Sequence, residues 1–278
     1  MKLKFYGTRG SIPICEPGFQ EFGGNTTCLQ ITFKDSNRIA IIDAGTGIRN
    51  LGRDLQAIGH HQDQIFMAFT HFHWDHVQGF PFFKPAYDPK QKLTLLTLGK
   101  EQIAKNLHEI CEVQMQSEYF PVQLDRMGAT FEFMQIEKAS KLFTGLDNVN
   151  TQFTTNLHNH PGGAYGFRME RNGKVLVICT DIEHGDQIDP NVVELARGAD
   201  LLVHEAQYTA EELQQRRGWG HSSYDQAIQL AELAGAKRLA LTHHDPDHDD
   251  VFLSRMEKLC QERFRECVLA RESMELEI

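Results

Sequence analysis

Along most of the chain, apolar positions come in short runs of four to eight, bounded by Gly, Pro, Asn or Asp. That pattern predicts β-strands at Leu3–Tyr6, Cys28–Phe33, Ile39–Asp43, Ile65–Phe69, Leu93–Leu98, Thr151–Leu157, Tyr165–Glu170, Val175–Cys179, Leu201–His204 and Arg238–Thr242. Four segments carry helical three-to-four spacing instead. Ile48–Ile58 aligns Ile48, Leu51, Leu55 and Ile58, and Gln102–Met115 aligns Ile103, Leu107 and Ile110. Tyr224–Ala234 and Val251–Phe264 repeat the spacing. The first half opens as a meander of strands and the second alternates strand with helix. This order fits sheets with helices packed on their outer faces. No Gly/Ser- or Pro-rich linker and no low-complexity tract interrupts the chain, so residues 1–278 read as a single domain. One echo is visible: Ile65–Thr70 leads into His71, and Arg238–Thr242 leads into His243. Two apolar strands ending in Thr-His would place two loops at one edge of a layered core, although the echo on its own is weak.

Composition narrows the class. Hydrophobic residues at 41% and charged residues at 24% are an ordinary globular balance. The net charge of −10, from 28 Lys+Arg against 38 Asp+Glu, argues against broad charge-driven binding to nucleic acid or an anionic membrane. No apolar stretch approaches the roughly 20 residues needed to span a bilayer, and the N-terminal MKLKFYGTRG lacks the apolar core of a signal peptide. Six cysteines without a CxxC pair read as reduced thiols in the cytoplasm, neither a disulfide framework nor a cysteine zinc site. The abnormal count is fourteen histidines, most of them in a few short clusters.

The densest cluster, His71-Phe72-His73-Trp74-Asp75-His76, directly follows an apolar strand, where a rigid scaffold presents functional groups. In extended chain His71 and His73 point to the same side; after a turn, Asp75 and His76 reach a second point nearby. One ion does not need four ligands so tightly packed, whereas two neighbouring ions do. Further donors of the right type follow other predicted strands: His160 after Leu157, Asp181 after Cys179, and His243 after Thr242. A lone loop His or Asp is usually only solvated, but together these residues complete a set of five His and two Asp.

From Asp43, in Ile41-Ile-Asp-Ala-Gly-Thr-Gly47, to His243, the chain resembles the metallo-β-lactamase fold superfamily, through HxHxDH, then a lone His, an Asp and a His. The resemblance implies an α/β αββα sandwich, two mixed sheets with helices outside and a dinuclear centre at one edge. It assigns His71, His73 and His160 to the first ion, Asp75, His76 and His243 to the second, Asp181 to both, and Asp43 to bracing the ligand loop. Zinc suits five imidazoles, and the carboxylates also permit manganese or iron.

Fold alone does not give function, but two segments narrow it. His204-Glu205-Ala206-Gln207 resembles the HEAT loop of the ribonuclease Z and phosphodiesterase branch, with Gln207 in place of Thr. His221-Ser222-Ser223 resembles the accompanying HST loop, with Ser223 in place of Thr. In that branch the loop histidine sits by the scissile phosphate and the glutamate orients or tunes it, so the expected catalytic residues are Asp75, His221 and Glu205. An imidazole beside a carboxylate can supply the proton that an alkoxide leaving group needs. Ser222 or Ser223 also reads as an N-cap for the helix from Tyr224, and both roles can coexist. Ribonuclease Z carries a tRNA-gripping arm between the third His and the bridging Asp; here two predicted strands fill the interval from His160 to Asp181.

Together with the charge, this points to a phosphodiesterase of small phosphodiesters, preferably cyclic nucleotides or other cyclic phosphates, in which a metal-bridging hydroxide attacks phosphorus. The rivals are a ribonuclease Z-like RNA 3′-end nuclease and a degenerate metal-binding module. A small-molecule substrate, no nucleic acid, no membrane and a homodimer complete the expectation. Gly7–Ser11 and Gly23–Thr27 resemble segments of the small-molecule relatives. Within them Arg9 and Asn25 read as turn residues ahead of phosphate contacts.

Overall fold

The structure, a computed structural model, describes residues 1–59, 64–99, 104–138, 141 and 149–278. Its strands form two mixed sheets. The first has the order β13 (Glu275–Glu277), β1 (Lys2–Gly7), β2 (Cys28–Phe33), β3 (Ser36–Ile42), β4 (Ile65–Phe69), β5 (Lys92–Thr97) and β6 (Thr130–Gln135). The second runs β12 (Cys267–Leu269), β11 (Leu239–Thr242), β10 (Leu201–Glu205), β9 (Lys174–Cys179), β8 (Ala164–Arg171) and β7 (Thr151–His158). In each sheet an antiparallel meander passes into parallel strands: β3–β6 are parallel in the first, and β9–β12 in the second. Parallel strands need crossovers, and the helices supply most of them: α1 (Ile48–Ala57), α3 (Ala104–Gln114), α4 (Pro190–Ala196), α6 (Tyr224–Ala234) and α7 (Asp250–Arg263), with the short α2 (Trp74–Val77) and α5 (Ala210–Gln215) in loops.

Strand alternation sorts the apolar residues into three cores. Phe5, Ile31, Ile42 and Phe66 of the first sheet meet Phe167, Ile178 and Val203 of the second in a core between the sheets. Ile39, Ile41 and Met67 point the other way, onto Ile48, Leu51 and Leu55 of α1 and Leu107 and Cys111 of α3. Val177, Leu202 and Leu241 likewise turn outward onto Val192, Ala227, Ile228 and Leu253 of α4, α6 and α7. Three cores between four layers are the expected αββα arrangement.

Register sets where the site lies. β3 and β4 run in step, Ile42 opposite Ala68, so Asp43 and Thr70 emerge side by side. β9, β10 and β11 end nearly level, with Cys179 opposite His204 and Glu205 opposite Thr242. The loops after them therefore deliver Asp181, Ala206–Gln207 and His243 to one edge. His160 lies in the turn between the antiparallel β7 and β8, which pair down to His158 and Ala164. The ten predicted strands are present, Cys28–Phe33 and Ile65–Phe69 with the predicted ends and the other eight with shifted ones. β6, β12 and β13 are additional, as are α2, α4 and α5. Of the predicted helix at Gln102–Met115, Gln102 and Ile103 lie outside the described residues.

Candidate metal centre

The seven donors of the sequence expectation converge from both sheets. His71, His73, Asp75 and His76 come from the β4 loop and α2, while His160, Asp181 and His243 follow β7, β9 and β11. The donor atoms of His71, His73, His160 and Asp181 lie within 4.8 Å of one another, as do those of Asp75, His76 and His243. Asp181 faces both groups. Its Oδ2 is 3.5 Å from His71 Nε2 and 3.7 Å from His160 Nε2; its Oδ1 is 3.3 Å from His76 Nε2 and 3.4 Å from His243 Nε2. Asp75 Oδ2 lies 3.1 Å from His243 Nε2 and 3.3 Å from His76 Nε2, and it accepts the Ser11 N–H at 2.8 Å. All seven are buried except His73, the exposed member, so the centre opens to solvent on that side.

Four imidazoles are oriented by an acceptor behind them. Nδ1 of His76 lies 2.8 Å from Asp43 Oδ2, that of His160 2.8 Å from the Gly220 carbonyl, and that of His243 3.1 Å from Gln207 Oε1. His71 Nδ1 is 3.1 Å from Thr70 Oγ1, whose own hydrogen goes to Asp43 at 2.8 Å. Each acceptor fixes the hydrogen on Nδ1 and leaves the Nε2 lone pair facing inward, which is how partners behind a metal-binding histidine set its tautomer. The consequence is a set of convergent lone pairs: His76 Nε2 and His243 Nε2 are 3.3 Å apart, and His73 Nδ1 and His160 Nε2 are 3.0 Å apart. His71 Nε2 and Asp181 Oδ1 are buried with no hydrogen-bond partner. Acceptors facing acceptors in a largely buried site call for cations, so the donor set fits divalent metal ions.

The electrostatics agree. Burial pushes the Asp181 carboxyl up, but His243, His76 and His71 hold it well below the usual carboxylate range. Burial opposes a charge on His76, yet Asp181, Asp75 and Asp43 raise it well above an ordinary histidine. Burial depresses His160 to about 4. Positive charge is therefore favoured at His76, among three carboxylates, whereas burial and neighbouring imidazoles keep His71 and His160 neutral.

Backbone strain marks the same positions. Asp43, Asp181 and His243 have φ of 60°, 50° and 60°, and Ser11 has 64°. Left-handed non-glycine residues are uncommon and are held only where surrounding contacts over-determine them. Glycines allow the close approaches: a Cβ on Gly10 would lie 2.4 Å from the His243 ring, and one on Gly220, at φ 88°, would lie 2.2 Å from His160 Nδ1. The roles of Gly10, Ser11 and Gln207 were not foreseen from the sequence, because they are played by backbone or by an amide standing where the family loop has Thr.

His221 stands against the centre, its ring 5.3 Å from that of His160 and 5.1 Å from that of His243. Asp181, His221 and His243 also form a close donor group, so distance alone does not separate His221 from the ligands. Burial would lower the His221 pKa, but Glu205, Asp181 and Asp75 raise it to about 9. Glu205 lies 3.6 Å from His221 Nδ1, within ion-pair reach and beyond a hydrogen bond. Its oxygens instead accept the backbone N–H groups of Ser222 at 2.6 Å, Gln207 at 3.1 Å and Ile182 at 3.3 Å. Glu205 thus also ties together the loops after β9 and β10 and the segment that leads into α6. Ser223 caps α6 in a reciprocal box with Gln226, so capping and a loop-histidine position do coexist.

Arg9 is fully buried and donates to the carbonyls of Gly23, Asp245 and His248 at 2.7–3.0 Å. Asn25 is bound to Glu272 through its backbone and its amide. Both are braces of the N-terminal segment, and neither lies in a turn as the sequence suggested: Arg9 makes β-bridges to Thr26 and His244.

Residues 38–244 match the family described as the beta-lactamase superfamily domain, and the chain belongs to that family. Within it the chain fits the ribonuclease Z-like branch. It is 25% identical to ribonuclease BN of Enterobacter sp. (strain 638), with 99% of each chain covered. Human tRNase Z, short form, superposes with a TM-score of 0.65 at 19% identity, covering 100% of this chain and 99% of that one. A diphosphatase of the PhnP family superposes at 0.67 and 16% identity, covering 100% and 97%. These two likenesses concern the fold, and they agree with the metallo-β-lactamase-like sandwich expected from the sequence. No helix among the described residues is long and apolar enough to cross a membrane.

Proposed function

We propose that this chain is a metal-dependent phosphodiesterase of small phosphodiesters, cyclic nucleotides and other cyclic phosphates foremost, using two divalent ions, zinc ahead of manganese or iron. The observation that carries the reading is Asp181, whose two oxygens face two separate imidazole groups. Bound ions would supply Lewis-acid stabilisation of phosphoryl oxygens and a water of lowered pKa. His71, His73 and His160 would hold one ion and Asp75, His76 and His243 the other, with Asp181 shared. Asp43, Thr70, Gln207 and the Gly220 carbonyl keep the imidazoles aimed. His221, kept cationic beside Glu205, donates a proton to the departing oxygen.

The names of full-length relatives such as ribonuclease BN favour a second reading, an RNA 3′-end nuclease. Against it, the interval from His160 to Asp181 consists of a turn and the hairpin β8–β9, which leaves no room for an arm. The net charge of −10 also disfavours a polyanion. The complete donor set argues against a degenerate module. The deciding experiment is turnover of bis(p-nitrophenyl) phosphate and cyclic nucleotides with added zinc or manganese, beside a thioester, a β-lactam and precursor tRNA. Inert phosphodiesters with a turned-over thioester or β-lactam would reject the proposal. Tight precursor-tRNA binding and cleavage at physiological salt would favour the nuclease.

A further inference from the structure

We infer that Ser11 is a substrate-contacting residue, whose hydroxyl donates a hydrogen bond to a phosphoryl oxygen of an ester held at the metal centre. The inference deepens the phosphodiesterase reading and rests on it for the identity of the anion.

Ser11 is displayed beside the donors from pinned backbone. The Gly10 N–H donates to the His244 carbonyl at 3.0 Å, and Gly10 passes so close to the His243 ring that no side chain fits there. The Ser11 N–H then donates to Asp75 Oδ2 at 2.8 Å, an oxygen that also faces His76 and His243. At standard bond lengths a serine Oγ lies at most about 3.7 Å from its own nitrogen, so the hydroxyl is within roughly 6–7 Å of a metal-donor oxygen. One tetrahedral phosphoryl group spans such a gap. Asp75, His76 and His243 are buried and Ser11 is exposed, so the residue borders both the centre and solvent.

Gln207 settles what Ser11 offers. Its Oε1 lies 3.1 Å from His243 Nδ1, and its Nε2 donates to Ser11 Oγ at 3.3 Å and to Asp245 Oδ2 at 3.5 Å. A carboxylate beside an amide selects the NH2 end, which fixes the amide's orientation. Both amide hydrogens are then engaged, one of them on a lone pair of Ser11. The serine's own hydrogen finds no acceptor among the described residues, so the group it presents to a ligand is a donor.

The backbone of Ser11 points the same way. Its φ is 64°. Glycine reaches that conformation freely and would present the same N–H to Asp75, whereas a residue with a side chain is strained there. What serine adds over glycine is the hydroxyl. A phosphoryl group whose charge is held at the centre has a further oxygen for such a donor, and hydrogen bonds to anionic oxygen are among the stronger kinds. A thioester or a lactam brings one carbonyl oxygen without that charge. Ser11 therefore favours phosphate esters over acyl substrates.

The rival role for Ser11 is a prop for Gln207, and the two roles differ in what happens to metal. Metal-loaded Ser11→Gly and Ser11→Ala are analysed for metal content and chelator resistance, then titrated with inorganic phosphate by calorimetry. Their kcat and KM are measured with bis(p-nitrophenyl) phosphate. Both variants should bind phosphate about tenfold or more weakly and lose a similar factor in kcat/KM, with metal held as in wild type. Ser11→Gly relieves the left-handed strain and should unfold within a few degrees of wild type, which separates loss of the hydroxyl from loss of the fold. Unchanged phosphate affinity overturns the inference. So does a fall in metal content or chelator resistance, because Ser11 then serves His243 through Gln207. Wild-type protein that binds no phosphate at millimolar concentration also overturns it. Wild-type protein that binds phosphate and is inert toward the diester overturns the phosphodiesterase reading instead, while the phosphate titration still decides the role of Ser11.

Discussion

Two groups of buried histidines sit within a few residues of one another and end in opposite chemistry. In the metal centre, His71, His76, His160 and His243 each face an acceptor with Nδ1, so their Nε2 lone pairs converge with Asp75 and Asp181 and find no hydrogen. Behind it, the Asp189 N–H donates to His184 Nδ1 at 3.3 Å, which puts the imidazole hydrogen on His184 Nε2, facing His204 Nε2 at 3.2 Å. The His204 Nδ1 in turn donates to the Glu205 carbonyl. That pair stacks at 5.3 Å and closes on itself, and among the described residues it joins no metal-capable group. His204, like His160, has Nδ1 on a backbone carbonyl and a lone pair on Nε2; what sets it apart is that the His184 N–H takes up that lone pair, whereas the one on His160 faces other donors of the centre. Histidine count alone does not distinguish the two.

The sharpest way to break this contrast is Asp181→Ala. It removes the carboxylate that both imidazole groups face, so elemental analysis should fall from near two metals per chain to below one. Turnover should drop by more than the roughly 10–100-fold typical of residues standing behind a ligand. Full metal content in this variant would end the two-ion reading. His221→Ala tests the neighbour that distance alone does not exclude from the ligands. With cyclic nucleotide, whose alkoxide needs a proton, it should lose roughly 10²–10⁴-fold; with p-nitrophenolate as leaving group it should lose far less, and metal should be retained. Metal loss would make His221 a ligand, and equal slowing of both substrates would make it a phosphate binder. Glu205→Gln is not a mild version of this change, because an amide N–H would oppose one of the three backbone N–H groups that Glu205 accepts.

Asp43→Asn acts one step further out. It weakens the hold on His76 and Thr70, and metal affinity should fall roughly 10–100-fold in a chelator competition. The smallest effect belongs to the closed pair. His204→Phe strands a buried His184 N–H, at a cost of about 1–3 kcal/mol, and thermal unfolding should shift down by a few degrees with metal content unchanged. Burial, reinforced by a neighbouring imidazole in each case, lowers His184 to about 4 and His204 to about 3. The unfolded chain, with histidines near 6.5, binds more protons than the folded one in that window. Stability is therefore lost as pH falls from about 6.5 towards 4. His204→Phe removes one of the two groups, and chelator-treated protein should show a shallower slope there.

Much of the fold and of the site is legible in the sequence. Strands such as Ile65–Phe69 and Val175–Cys179 are apolar runs buried on both faces, and the donors after them are of unmistakable type. β13 was not readable, because Glu-Leu-Glu buries only Leu276, and its pairing with β1 joins Leu276 to Leu3 at the other end of the chain. β6 alternates Phe with polar residues but is only half-buried along its length, too faint a pattern to stand out. The left-handed backbones of Asp43, Asp181 and His243 have no letter of their own, since only glycine announces that conformation. Gln207 looked like a departure from the family loop. It is the amide that aims His243, a role decided by a neighbour 36 residues away in the chain.

His76 and His243 lie 167 residues apart in sequence and belong to loops of opposite sheets. Any cation shared across them is a removable cross-link, closing a loop of the size for which a disulfide constrains the unfolded chain strongly, without needing an oxidising compartment. Such a clasp makes resistance to unfolding depend on free-ion concentration. A chelator should then hasten proteolysis throughout both sheets, well beyond the few loops that carry the donors.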